Sequence, residues 1–195
     1  MTLAQRLLTR LQSWIARGAV RRSIWTRAVF AFGRLHAPFL RPSISEADIT
    51  RALATVRPGD VLAVYTRRYL SSALIPGRHK HTAIYTGNGW VIHAAAPKVH
   101  QVRLVEFLRV YDRAAVWRPR YAADVSSWKA IDRAAFCAIG TGYDPLFCDK
   151  NDLWYCHEFV AHCLGAAGLV VCASGPQFVA DDIAEVCDQV LEVGR

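Results

Sequence analysis

The sequence predicts an α+β fold, and three observations carry the prediction. Short β-rich segments cluster between residues 61 and 117, segments of helical period follow from residue 126, and Gly87-Asn88-Gly89 parts two of the β-rich segments as a hairpin turn does. With 195 residues and 53% hydrophobic side chains, the chain has apolar material for one well-buried domain, and its length argues against two.

Taken in order, the first unit is an N-terminal basic helical arm over residues 1–45. Leu3, Leu7, Leu8, Leu11, Trp14 and Ile15 recur at helical spacing, while Arg6, Arg10, Arg17 and Arg21 gather on the opposite side. A second apolar stretch around Ile24, Trp25, Ala28, Val29, Phe30 and Phe32 ends before Pro38 and Pro42. Neither stretch reaches the ~18 uninterrupted apolar residues of a membrane span. Arginines interrupt every apolar run that a secretory signal needs. The net charge of +8 also sits here: residues 1–42 hold eight arginines and no acid, whereas residues 43–195 hold sixteen bases and sixteen acids. A neutral body lacks the sustained basic surface that phosphate binding requires, so no nucleic-acid partner is expected. Two readings of the arm remain open. One is attachment of residues 1–35 to an anionic membrane surface, which makes the protein cytoplasmic and peripheral on the inner face of a membrane; the other is packing on its own domain.

The domain is expected over residues 46–195. Residues 46–56 read as a short helix, after which Arg57-Pro58-Gly59-Asp60 turns into a strand at 61–66. Strands at 82–86 and 90–94 form the hairpin, with others at 99–102 and 114–117. A helix over 126–139 presents Trp128, Ile131, Ala135 and Phe136 as its apolar face and stops at Gly140 and Gly142. A second spans about 154–167, with Asn151 or Asp152 as N-cap, and a short helix at 181–186 and a strand at 190–193 complete the chain.

The six cysteines form no CxxC pair and are expected as reduced thiols. Cys137, Cys163, Cys172 and Cys187 read as small packed hydrophobes, and Cys148 lies in a polar loop. Cys156 differs, because it falls in the first turn of the 154–167 helix. Unpaired N–H groups and the positive helix end favour a thiolate there and can hold an oxyanion.

Such a nucleophile needs a base, and the base needs an orienting group. A three-residue loop at Gly87-Asn88-Gly89 puts His93 opposite Ala83 and sets His81 and His93 diagonally on one face; a two-residue loop at Asn88-Gly89 puts them on opposite faces. The first arrangement makes His81 the base and His93 its orienting group. Beside them Ala83 and Ala95 are small enough to admit a substrate and the helix bearing Cys156. Tyr155 and Tyr143 are candidate hydrogen-bond donors to the oxyanion, while Glu158 and Asp144 read as structural. His36, His79 and His100 read as solvent or loop residues. His157 and His162, taken with Cys148 and Cys163, match no standard zinc spacing, so neither a metal nor another cofactor is expected.

The segments 81–87 (HTAIYTG), 91–94 (VIHA), 142–144 (GYD) and 155–158 (YCHE) together resemble the ordered motifs of the circularly permuted, NlpC-type papain-like cysteine hydrolases. The YiiX-like group is the nearest match. Lecithin:retinol acyltransferase-like enzymes are similar too, with two histidines twelve residues apart before the cysteine, as His81 and His93 stand here. The resemblance covers roughly residues 57–193 and implies an antiparallel sheet packed against helices, with His81 as base, His93 orienting it and Cys156 as nucleophile. Many YiiX-like sequences carry Glu at the position of His93 and Ser at that of His157. The first departure leaves the substrate open between amide and lipid ester, and the second sets an extra cation near the sulfur. Three functions follow: amide hydrolysis on a peptide or peptidoglycan-type substrate, lipid deacylation or acyl transfer, and a non-catalytic membrane adaptor. Nothing in the sequence speaks to oligomeric state.

Overall fold

A computed structural model describes residues 14–15, 19–35, 37, 40–69, 75, 77–120, 125–147 and 152–194. The arm's stripe at residues 3–11, His36, Cys148 and Asn151 lie outside these residues. Helix α1 (Ala19–Arg34) runs straight through the second apolar stretch of the arm. Its Trp25 indole donates to the carbonyl of Pro145 (2.9 Å), so this part of the arm touches the domain, while Ile24 stays 64% exposed. No helix among the described residues is long and apolar enough to cross a membrane.

The next helix, α2 (Glu46–Thr55), starts where Ser45 and Asp48 form a reciprocal capping box that satisfies two orphan N–H groups. Strands β1 (Val61–Tyr65), β2 (His81–Gly87), β3 (Trp90–Ala95), β4 (Lys98–Arg103), β5 (Arg113–Pro119) and β6 (Cys187–Gly194) form one antiparallel sheet in the order β4-β3-β2-β1-β5-β6. The helices are α3 (Leu104–Leu108), α4 (Val125–Cys137), α5 (Cys156–Ala166) and α6 (Ala180–Ala184).

Strand alternation divides the core. Val61, Ala63, Ile84, Ile92 and Ala94 face α4, α5 and α6, whereas Leu62, Val64, Ala83, Tyr85 and Val91 face α2 and α3. Helices thus cover both faces of the sheet. Helix α3 went unpredicted, since a single turn and a half carries no readable period. In α4 the apolar stripe runs through Ile131, Ala135 and Ala138, and Phe136, expected on it, is 45% exposed because it projects from the neighbouring side of the helix. Cys137 and Cys172 are exposed rather than packed, while Cys163 and Cys187 are buried; all of the described cysteines are free thiols.

Two local features set up the site. The hairpin turn is the two-residue Asn88-Gly89, both at positive φ (52° and 76°), with Gly87 paired to Trp90. A two-residue turn alone inverts the faces, but a bulge at Thr86 inserts one residue and restores Tyr85 opposite Val91 and Ile84 opposite Ile92. His81 and His93 therefore share a face, by a turn other than the one expected. The second feature is the start of α5. Trp154 is held extended against Tyr143 and Gly142 by backbone bonds (Trp154 N–H to Gly142 O, 3.1 Å; Asp144 N–H to Trp154 O, 3.1 Å), so the helix begins at Cys156 with Tyr155 as N-cap, not at Trp154 with Asp152.

Candidate active site

The β2–β3 ladder runs from Gly87–Trp90 to Ile84–Ile92, and His81, Thr82 and Ala83 continue beyond it. Helix α5 lies across β2 and β3 on the face of Ile84, Ile92 and Ala94, with its first residue at that end. Thr82 Oγ1 donates to the carbonyl of Cys156 (3.2 Å), tying the start of α5 to the residue after His81. The helix thus does not share the face of Ala83, His81 and His93 as expected; α3 fills that side with Phe107, and Cys156 meets β2 at the strand's end.

The sulfur of Cys156 is 6% exposed as a residue. Burial pushes its thiol up to about 12, and the backbone N–H groups of Thr82, His157 and Cys156 itself pull the other way without prevailing. The expected thiolate bias is present as geometry, but desolvation outweighs it, so the resting group is a thiol. These three N–H groups face the sulfur from the start of α5 and from β2, as a site for developing negative charge requires.

His81 Nε2 and His93 Nδ1 lie 2.8 Å apart. Both rings are neutral: burial holds His93 down to about 3, and burial followed by the neighbouring His93, His157 and His100 holds His81 well below 6.5. With its Nε2 engaged by His93, His81 keeps Nδ1 as the nitrogen open to another partner. Its ring is stacked against Tyr111 (centroids 6.3 Å, planes 16° apart) and tilted against Phe107.

Tyr143 is close enough to Cys156 that the sulfur, after burial itself, raises its phenol well above 10, so it remains a hydrogen-bond donor. The Tyr155 hydroxyl accepts from the N–H of Phe178 (2.8 Å), which anchors that side chain toward the segment ahead of α6. Tyr111, which no sequence signal marked, also feels Cys156, and burial keeps it a neutral phenol. His157 is buried and lowered to about 4, mainly by desolvation, so it is not the extra cation expected beside the sulfur. Asp144 fixes its loop by accepting from Leu146 N–H (2.8 Å).

His81 and His93 thus meet each other at one end of β2, where Thr82 ties the backbone of Cys156, while the Tyr155 hydroxyl is held by Phe178. A family model described as a permuted papain-like amidase enzyme, YaeF/YiiX, C92 family, matches residues 55–177. The chain belongs to this family. Among solved structures, the metalloprotein YiiX from Escherichia coli O157:H7 shares 16% identity and a TM-score of 0.62, over 71% of this chain and 98% of its own, which is a likeness of fold. No curated protein matches the chain.

Two histidines expected as solvent or loop residues are less exposed than that. His79 lies in the loop ahead of β2 but is buried edge-on against Trp117 (centroids 5.0 Å). His100, also expected in solvent, is half-buried and meets His93. Among the described residues no group of three or more His, Cys, Asp or Glu side chains is placed to hold a metal ion. His93 meets His81 through Nδ1 and His100 through Nε2, so the three rings do not converge on a single point.

Proposed function

We propose that this YaeF/YiiX-family protein is a cysteine hydrolase that cleaves an amide in a peptide or peptidoglycan-type substrate through an acyl-thioester on Cys156. The observation that carries the reading is the 2.8 Å contact between His81 Nε2 and His93 Nδ1 beside Thr82, whose hydroxyl binds the Cys156 carbonyl; on this reading His81 Nδ1 is the nitrogen that serves the thiol. Because the thiol is protonated at rest, His81 Nδ1 takes the S–H proton as the sulfur attacks the carbonyl carbon. The carbonyl oxygen becomes an oxyanion facing the N–H groups at the start of α5, with Tyr143 as an added donor and Tyr155 as a further candidate. His81 then gives its proton to the departing amine nitrogen as the C–N bond breaks. In the second half His81 deprotonates water, the hydroxide displaces sulfur from the thioester, and the proton returns to Cys156.

A small activated ester, p-nitrophenyl acetate, tests the nucleophile without knowledge of the natural substrate. Peptide mapping is expected to find the acetyl group on Cys156. Acetylation confined to the exposed Cys137 and Cys172 contradicts the reading.

A lipid ester as substrate is the second reading, favoured by the exposed Ile24 on an arm that carries all of the chain's excess charge. On this reading residues 1–45 are an arm attached to the domain at 46–195. Trp25 docks α1 on the carbonyl of Pro145 while Ile24 and Trp14 meet an anionic bilayer. Loss of co-sedimentation with phosphatidylserine-containing liposomes in Ile24→Asp supports it, and equal pelleting of both proteins removes it.

A further inference from the structure

The pair His81–His93 has an unresolved symmetry: two imidazole nitrogens facing each other at 2.8 Å form a hydrogen bond whichever ring donates. Only one direction serves catalysis. If His81 Nε2–H donates, His81 Nδ1 carries the lone pair that takes a proton from sulfur. If His93 Nδ1–H donates, His81 Nε2 is the acceptor and Nδ1 already holds the ring's proton, so the base is blocked. A second imidazole is therefore not enough to orient the first; something must fix which nitrogen of His93 is protonated.

The sheet supplies that group. His100 stands directly opposite His93 in the β3–β4 register, its ring centroid 4.4 Å from that of His93. His93 Nε2 and His100 Nε2 are 3.1 Å apart, and His100 Nδ1 lies 2.9 Å from the carbonyl oxygen of Lys98. A carbonyl oxygen only accepts, so His100 Nδ1 must bear a hydrogen. In the uncharged ring Nε2 then has the lone pair, so His93 Nε2–H donates to it. His93 Nδ1 in turn accepts from His81 Nε2–H, and His81 Nδ1 is left bare. A backbone carbonyl thus sets the direction of three successive hydrogen bonds.

We propose that His100 is a positioning residue of this site, which transmits the acceptor character of the Lys98 carbonyl through His93 and so keeps the lone pair of His81 on Nδ1, the nitrogen that the hydrolase reading assigns to the thiol. The proposal rests on the hydrolase reading for its consequence, though the tautomer order it states does not. The neutrality of His81 and His93, enforced by burial, agrees with it, since a doubly protonated ring in the middle of the chain would erase the direction.

Side-chain 15N NMR of histidine-labelled full-length protein reads tautomers directly. In the native protein His81 and His93 are expected as Nε2–H and His100 as Nδ1–H; His93 found as Nδ1–H overturns the proposal without any variant. In His100→Phe, which keeps a ring but removes the acceptor, His93 is expected to become a mixture and Nδ1–H to appear on His81. Alkylation of Cys156 by iodoacetamide near neutral pH should fall about fivefold, the worth of one hydrogen bond. His100→Gln, whose side-chain oxygen accepts, should restore both readouts. Unchanged tautomers together with an unchanged alkylation rate in His100→Phe overturn the proposal. Should the tautomers shift as stated while His81→Ala leaves Cys156 alkylation untouched, the hydrolase reading fails and the role of His100 in tautomer order stands.

Discussion

Cys156 and Cys163 lie seven residues apart on the same helix, both buried, and they differ in what faces the sulfur. At Cys163, wholly buried within the core formed with α4 and the sheet, burial is the single cause that pushes the thiol up. At Cys156 burial is opposed by three backbone N–H groups, because the first turn of a helix leaves its donors unspent and β2 adds the N–H of Thr82. Hydrocarbon surrounds one sulfur and donors surround the other. Burial alone thus says little about a cysteine; what faces it decides whether negative charge can develop there.

The contrast can be broken most sharply at the nucleophile. Cys156→Ala should lower hydrolysis of p-nitrophenyl acetate by about 1,000-fold or more with the fold intact, checked by initial rates and thermal melting. His81→Ala should lower it by about 100-fold, and His93→Ala by about tenfold, because an orienting ring is more dispensable than the base it orients. Equal losses from the two histidine variants would contradict the order of roles.

A smaller effect concerns pH. The base must be unprotonated to act, and burial beside His93 lowers His81 well below 6.5, so protonation that disables it comes only as pH falls through this lowered value. The acid limb of kcat/KM should therefore lie below pH 6.5, and a midpoint at or above that value speaks against His81 as the base. The smallest effect on activity belongs to Cys163→Ala, whose kcat/KM should stay within about twofold of the parent while stability drops by about 1 kcal/mol, read from urea unfolding.

The shared face of His81 and His93 and the place of Cys156 in the first turn of α5 were legible because strand alternation and helix starts are periodic signals. The physical details were less legible. The bulge at Thr86, which puts the two histidines on the same face of the sheet, depends on how β2 meets its neighbours, and no turn residue announces it. The start of α5 moved because Trp154 spends its backbone groups on Gly142 and Asp144, a contact between distant segments. His100 and His79 read as solvent or loop residues since their burial comes from rings on other segments, His93 and Trp117, that local composition does not reveal. The resting thiol at Cys156 is a balance between desolvation and donors, and only three-dimensional packing fixes its outcome.

The central claim is that His81 activates one buried sulfur and no other. Site-resolved iodoacetamide alkylation, followed by mass spectrometry of native protein and His81→Ala, measures it with the exposed Cys137 and Cys172 as internal controls. The account predicts that the rate at Cys156 drops about tenfold or more in the variant while the two controls are unmoved. A Cys156 rate that is the same with and without the His81 imidazole contradicts it.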